Sequence, residues 1–327
     1  MIATIDLQRE NPTTSRHYHV YGITVRSAMP LDCPVGTAPG HAGIELSESP
    51  PSMFHNAIHG KLPTVSEECW FRHVALPDGA DYLCWSKLFE FLISPDGRRI
   101  TCHALNGVSQ ETFQTYLVSQ VLSCALLKQG IESLHATVVV IQGRAVAFLG
   151  DCGYGKSSLG AACLRAGHAV LTDDMLVTSV PDQQQPFVVA HPGPPRIKLF
   201  PKIARTLLGR HRSGTPMNPG TTKLIIPLSP REHCGQAVPL RALYILRPPN
   251  SRRALKHVTI RPLTQRQACL KLIANTFNTI MTEPARLAQQ FTWAARLAGA
   301  VPVKSLSYPR SLADIPAVLA AIHKDLA

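Results

Sequence analysis

The chain has 327 residues, enough for one large or two smaller domains with a real core, and its 45% hydrophobic content excludes a disordered chain. No apolar run approaches the roughly 20 residues that span a bilayer. Lys and Arg outnumber Asp and Glu by 33 to 21, and the resulting formal charge of +12 favours anionic partners; yet no basic cluster alternates with aromatics, which argues against nucleic acid.

The first ten residues show no basic start leading into an apolar core, so no secretory signal is read and a cytoplasmic location is expected. Nine cysteines, an odd number with no C-x-x-C pair, suit reduced thiols better than disulfides or zinc. From His17 to about Thr101 the chain reads as short strands, among them Tyr18–Arg26, Tyr82–Ser86 and Glu90–Ser94, broken by turns such as Pro95-Asp96-Gly97. Residues 1–105 are therefore expected to form a small β-rich N-terminal domain. Apolar residues at helical spacing (Phe113, Leu117, Val121, Leu122, Ala125), stopped at Gly130, predict a helix over 106–130 bridging to the rest.

Residues 131–327 hold the chemistry. Thr137–Ile141 and Arg144–Leu149 flank Gln142-Gly143, a two-residue link of the hairpin kind, so a purely parallel sheet is not expected. The second strand runs into Gly150-Asp151-Cys152-Gly153-Tyr154-Gly155-Lys156-Ser157, a full match to the phosphate-binding loop G-x-x-x-x-G-K-[ST], and Ser158–Ala166 then reads as a helix stopped at Gly167. In such a loop the glycines let successive N–H groups face phosphates at a positively polarised helix end. Lys156 would reach the β and γ phosphates of ATP, and the Ser157 hydroxyl would bind Mg2+. Cys152, near that helix end, is read mainly as a small loop filler.

Asp173-Asp174 follows an apolar run that starts at His168, and Asp173 lies only 17 residues beyond Lys156. That distance allows one helix and a return strand, and predicts the acidic pair at the carboxyl end of an adjacent strand, facing the phosphates. One carboxylate would hold Mg2+ and the other would accept a proton from an attacking hydroxyl. The Pro- and Gly-rich stretch 181–230, whose basic residues include Arg196, Lys198 and Lys223, reads as a substrate-facing or lid segment. Beyond it come a core strand at Ala242–Leu246, helices over Ala268–Met281 and Ala285–Ala298, a strand over Val301–Tyr308, and a helix from Leu312 capped by Ser311.

Leu134-His135-Ala136, Gly150–Ser158, Arg165–His168 and Leu171–Asp174 together resemble the kinase domain of the histidine-containing phosphocarrier protein (HPr) kinase/phosphorylase family. The similarity is greatest to the HPr-kinase-like serine kinases found with lasso peptide biosynthesis, whose opening strand Tyr18–Ser27 also looks like. The resemblance covers 131–230 and extends more loosely towards the C-terminus. It implies an α/β fold with a P-loop kinase core related to phosphoenolpyruvate carboxykinase, a mixed sheet with flanking helices, beside the small β-rich domain. It also implies that Asp173 or Asp174 is the catalytic base, that His135 sits beside the transferred phosphate, and that Arg196, Lys198 and Lys223, in segments that look like those of the peptide-kinase branch, are candidates to neutralise phosphate charge. The family is often homo-oligomeric, though no residue pattern in this chain points to an oligomer. The chain departs from the bifunctional enzymes at Cys152 and Ser158 and lacks their glycine-rich signature after the acidic strand, which argues against phosphorylase activity.

The expected function is ATP- and Mg2+-dependent transfer of the γ-phosphoryl group to a hydroxyl, of a peptide serine or a small hydroxylated metabolite. The alternatives are an HPr-type protein serine kinase and a nucleotide-binding regulatory protein without turnover.

Overall fold

A computed structural model describes residues 15–36, 43–58, 70–105, 107–179, 187–218, 220–248, 255 and 257–327. The chain divides into two compact units, Met1–Ile131 and Glu132–Ala327.

The first unit is built on a seven-stranded sheet: β1 (Arg16–Val20), β2 (Ile23–Ser27), β3 (Ile44–Glu48), β4 (Phe71–Ala75), β5 (Asp81–Trp85), β6 (Phe89–Ile93) and β7 (Arg99–Ala104), with α1 (Pro51–Ile58) between β3 and β4. The strand order is β1-β2-β3-β7-β6-β5-β4. The segment read as one strand over Tyr18–Arg26 is instead the β1–β2 hairpin. Its turn residues Tyr21 and Gly22 both have positive φ (55 and 78), the geometry of a two-residue hairpin turn, and a tyrosine there gives no turn signal. The helical stretch formed by α2 (Gln110–Tyr116), a π turn (Leu117–Val121) and α3 (Leu122–Lys128) belongs to this unit. Phe113 stacks on Phe91 with ring centroids 5.6 Å apart, in an aromatic cluster that also takes in Trp85, Phe89 and Tyr116.

In the second unit, β8 (Ser133–Ile141) and β9 (Arg144–Leu149) form a hairpin through Gln142 (φ 52) and Gly143 (φ 73). The chain then forms α4 (Lys156–Arg165), β10 (Ala169–Ser179), β11 (Val189–Ala190), β12 (Arg196–Leu199), α5 (Pro201–Leu208), β13 (Thr215–Asn218), β14 (Thr221–Pro227) and β15 (Val238–Leu246). It ends with β16 (Thr259–Pro262), α6 (Gln265–Ala274), α7 (Pro284–Ala300), β17 (Val303–Ser307) and α8 (Ile315–Leu326). The main sheet runs β11-β10-β8-β9-β15-β17-β16 and is mixed: β9 is parallel to β15 and antiparallel to β8. One face packs against α4, α5 and α8 and the other against α6 and α7. Within the stretch 181–230, β12, β14 and β13 pair into a small sheet of their own; its residues 181–186 and 219 lie outside the described residues.

The acidic strand departs from its expected place in two ways. β10 pairs with β8, so the hairpin's first strand stands between β10 and β9, and the acidic pair falls mid-strand instead of at a carboxyl end. The short crossover predicted for neighbours therefore reaches one strand further. Among the described residues no helix is long and apolar enough to cross a membrane.

Candidate functional site

The loop between β9 and α4 owes its shape to three glycines at positive φ, Gly150 (148), Gly153 (83) and Gly155 (90), the last of which caps the helix. α4 closes with Gly167 at φ 88, where the His168 N–H donates to Cys163 O and the Gly167 N–H to Leu164 O, satisfying the last carbonyls. The Lys156 ammonium folds back on its own loop and donates to Gly150 O at 2.5 Å and Asp151 O at 3.0 Å. Burial, first of all, lowers its pKa.

Beside the loop lies a cavity of about 240 Å³, lined by His135, Cys152, Gly153, Gly155, Lys156, Ser157, Ser158, Asp173, Asp174, Lys198 and Lys223, with Leu199, Phe200 and Ile203 as its apolar wall. Consecutive side chains of a regular strand point to opposite faces, yet Asp173 and Asp174 both line this cavity. Asp174 breaks the alternation with a φ of 97, a region that L side chains rarely adopt.

The two carboxylates have different surroundings. Asp173 is buried, and its Oδ1 accepts from Thr137 Oγ1 at 2.5 Å and Ser157 Oγ at 2.9 Å. Its Oδ2 accepts the Lys198 backbone N–H at 2.7 Å, a donor that β12 leaves free on its outer edge. Burial and then the neighbouring Asp174 charge raise the Asp173 pKa. Asp174 is about a quarter exposed, accepts from Lys198 Nζ at 2.5 Å, and lies 3.8 Å from His135 Nε2. Burial pushes its pKa up, but the Lys198 ammonium and then His135 outweigh that and hold it at about 2. Burial lowers the His135 pKa to about 4, the Asp174 charge opposing and the nearby lysines assisting, so the ring is neutral at pH 7. His135 sits inside β8, two residues past its start, rather than ahead of a strand, and its ring meets Phe277 edge-on.

The structure thus brings together His135, Cys152, Gly153, Gly155, Lys156, Ser157, Ser158, Asp173, Asp174, Lys198 and Lys223. Gly150 and Asp151 take part through the carbonyls that hold Lys156, and Tyr154 packs partly against the core. Arg196 does not line the cavity: it is buried on β12 two residues before Lys198, about 6.6 Å lower along the strand. Lys223 donates to the exposed Cys152 thiol at 3.8 Å and lies 5.5 Å from the Phe200 ring centroid. The eight described cysteines are all free thiols; Cys69 lies outside the described residues.

Thr137 escaped the sequence reading. Its hydroxyl serves Asp173, and register alone, Thr137 opposite Asp173 in the β8–β10 ladder, would have found it. Among the described residues no group of three His, Cys, Asp or Glu side chains gathers as a metal site. Ser157 Oγ and Asp173 Oδ1, 2.9 Å apart, offer an all-oxygen donor pair of the kind that Mg2+ accepts while keeping several waters.

No family model matches the sequence, and no curated protein matches it. Among solved structures the chain is similar to the Hpr(Ser) kinase/phosphatase from Coxiella burnetii, at 13% sequence identity and a TM-score of 0.33, over 59% of this chain and 88% of that one. So distant a likeness assigns no function.

Proposed function

We propose that the chain is a kinase that transfers the γ-phosphoryl group of ATP to a hydroxyl, of a peptide serine or a small hydroxylated metabolite. The observation that carries this reading is the meeting, in one cavity, of a glycine loop at a helix start, Lys156 and Ser157, with two carboxylates in unlike environments. A nucleotide-binding loop alone would need only the first half of that set.

Loop N–H groups at the start of α4 and Lys156 bind the phosphates, the ammonium exchanging the Gly150 and Asp151 carbonyls for phosphate oxygens. Ser157 and Asp173 hold Mg2+, which when bound neutralises charge on the phosphate oxygens. Asp174, ionised and facing the cavity, orients the acceptor hydroxyl and takes its proton as the acceptor oxygen bonds to the γ phosphorus and the bond to the bridging oxygen of ADP breaks. Lys198 keeps that carboxylate charged and aimed, and His135, neutral, flanks the acceptor side.

The test is label transfer from γ-labelled ATP, with Mg2+, to a panel of serine peptides and small alcohols. Wild type is expected to transfer label, Lys156→Ala to lose both ADP binding and transfer, and Asp174→Asn to lose transfer while still binding ADP. Transfer by Asp174→Asn at the wild-type rate would sink the assignment, as would a wild type that binds no nucleotide.

A further inference from the structure

A side chain 156 positions away from the loop holds it from outside. Arg310 donates through one terminal nitrogen to the Tyr154 carbonyl and through the other to the Arg247 carbonyl, just past the end of β15. Its guanidinium lies 4.9 Å from the Tyr308 ring centroid. A Cβ placed on Gly155 would come within 3.0 Å of both Arg310 Nη1 and Tyr308 Oη, so the glycine is what lets this brace close on the loop.

Within one planar trans peptide the carbonyl and the N–H point in opposite directions. Arg310 grips the carbonyl of the Tyr154–Gly155 peptide from a position outside the cavity, while Gly155 is one of the residues that line it. Holding that carbonyl outward turns the Gly155 N–H inward, towards the space that a nucleotide phosphate would occupy beside Lys156. We infer that Arg310 is a positioning residue that pre-orients the Gly155 N–H for a nucleotide phosphate; the inference rests on the proposed nucleotide-binding function. The fork is what the task requires, since two carbonyls on separate segments must be held at once by one planar group. An ammonium supplies the charge but cannot span both in a fixed plane.

The experiment is titration of fluorescent ADP into the full chain as wild type, Arg310→Ala, Arg310→Lys and Lys156→Ala. Arg310 is exposed and its removal should leave the melting temperature nearly unchanged. Arg310→Ala is expected to bind ADP about tenfold more weakly, the scale of one lost hydrogen bond to a charged group. Arg310→Lys should recover little of that loss, and dilute guanidinium ion should restore part of the affinity to Arg310→Ala but none to Lys156→Ala. Wild-type affinity in Arg310→Ala, or full recovery in Arg310→Lys, overturns the inference and leaves the kinase reading standing. A wild type that does not bind ADP overturns both.

Discussion

At Asp174 a carboxylate sits on backbone of φ 97, a conformation that costs about 1–3 kcal/mol in a residue with a side chain. Contacts with Lys198 and His135 hold it there, and its reward is a second carboxylate on the cavity side of the strand. If that carboxylate takes the acceptor proton, Asp174→Asn should lower the transfer rate about a hundred- to ten-thousandfold, measured at saturating ATP, with ADP affinity little changed. His135 makes a pH prediction. Its pKa falls from 6.5 to about 4 on folding, mainly through burial, so as pH drops the unfolded chain takes up this proton first. The stability that neutral His135 contributes is therefore full above about pH 6.5 and is lost progressively towards pH 4. Thermal melts should show the stability of wild type relative to His135→Gln constant above pH 7 and falling as pH drops through that range. Asp174 acts lower down: its depressed pKa stabilises the fold above pH 3.8 and that contribution fades towards pH 2.

α4 approaches β8 closely enough that a Cβ on Gly160 would meet Thr137 Cγ2 at 2.7 Å. Ala in mid-helix is ordinarily about 1 kcal/mol better than Gly, but here the colliding methyl belongs to a short, fully buried, β-branched side chain. Thr137 can yield only by turning its hydroxyl off Asp173, so Gly160→Ala should destabilise by about 1–2 kcal/mol and weaken transfer. Adding Thr137→Ser, which removes the methyl and keeps the hydroxyl, should restore the melting temperature; no recovery would show that the clash lies elsewhere. At this scale the limits of the sequence become physical. The loop, α4 and the 142–143 hairpin could be read because glycine marks backbone that other residues avoid. The Tyr21-Gly22 hairpin was hidden by a tyrosine at positive φ, and the strand order was hidden because apolar runs do not say which neighbour they pair with. Two carboxylates on one side of a strand contradict the period-2 rule, and only the Asp174 backbone explains them. The Arg310 brace joins loop segments 156 residues apart, a distance at which local pattern carries no information.

On the scale of the molecule, every residue lining the cavity belongs to the unit Glu132–Ala327. That unit has hydrophobic cores on both faces of its sheet, and expressed as residues 132–327 it is expected to bind ADP with the affinity of the full chain; a large loss would assign part of the site to the first unit. The place of β8 between β9 and β10 also has a consequence for biosynthesis. A hairpin with a two-residue turn closes in microseconds, far faster than the ribosome adds a residue. The β8–β9 hairpin can thus stand ready as α4 leaves the exit tunnel, with an open edge waiting for β10. Loop, lysine and both aspartates all come from the uninterrupted stretch Ser133–Ser179, so the phosphate-handling half of the site can be templated while the β12 strand that brings Lys198 is still being translated.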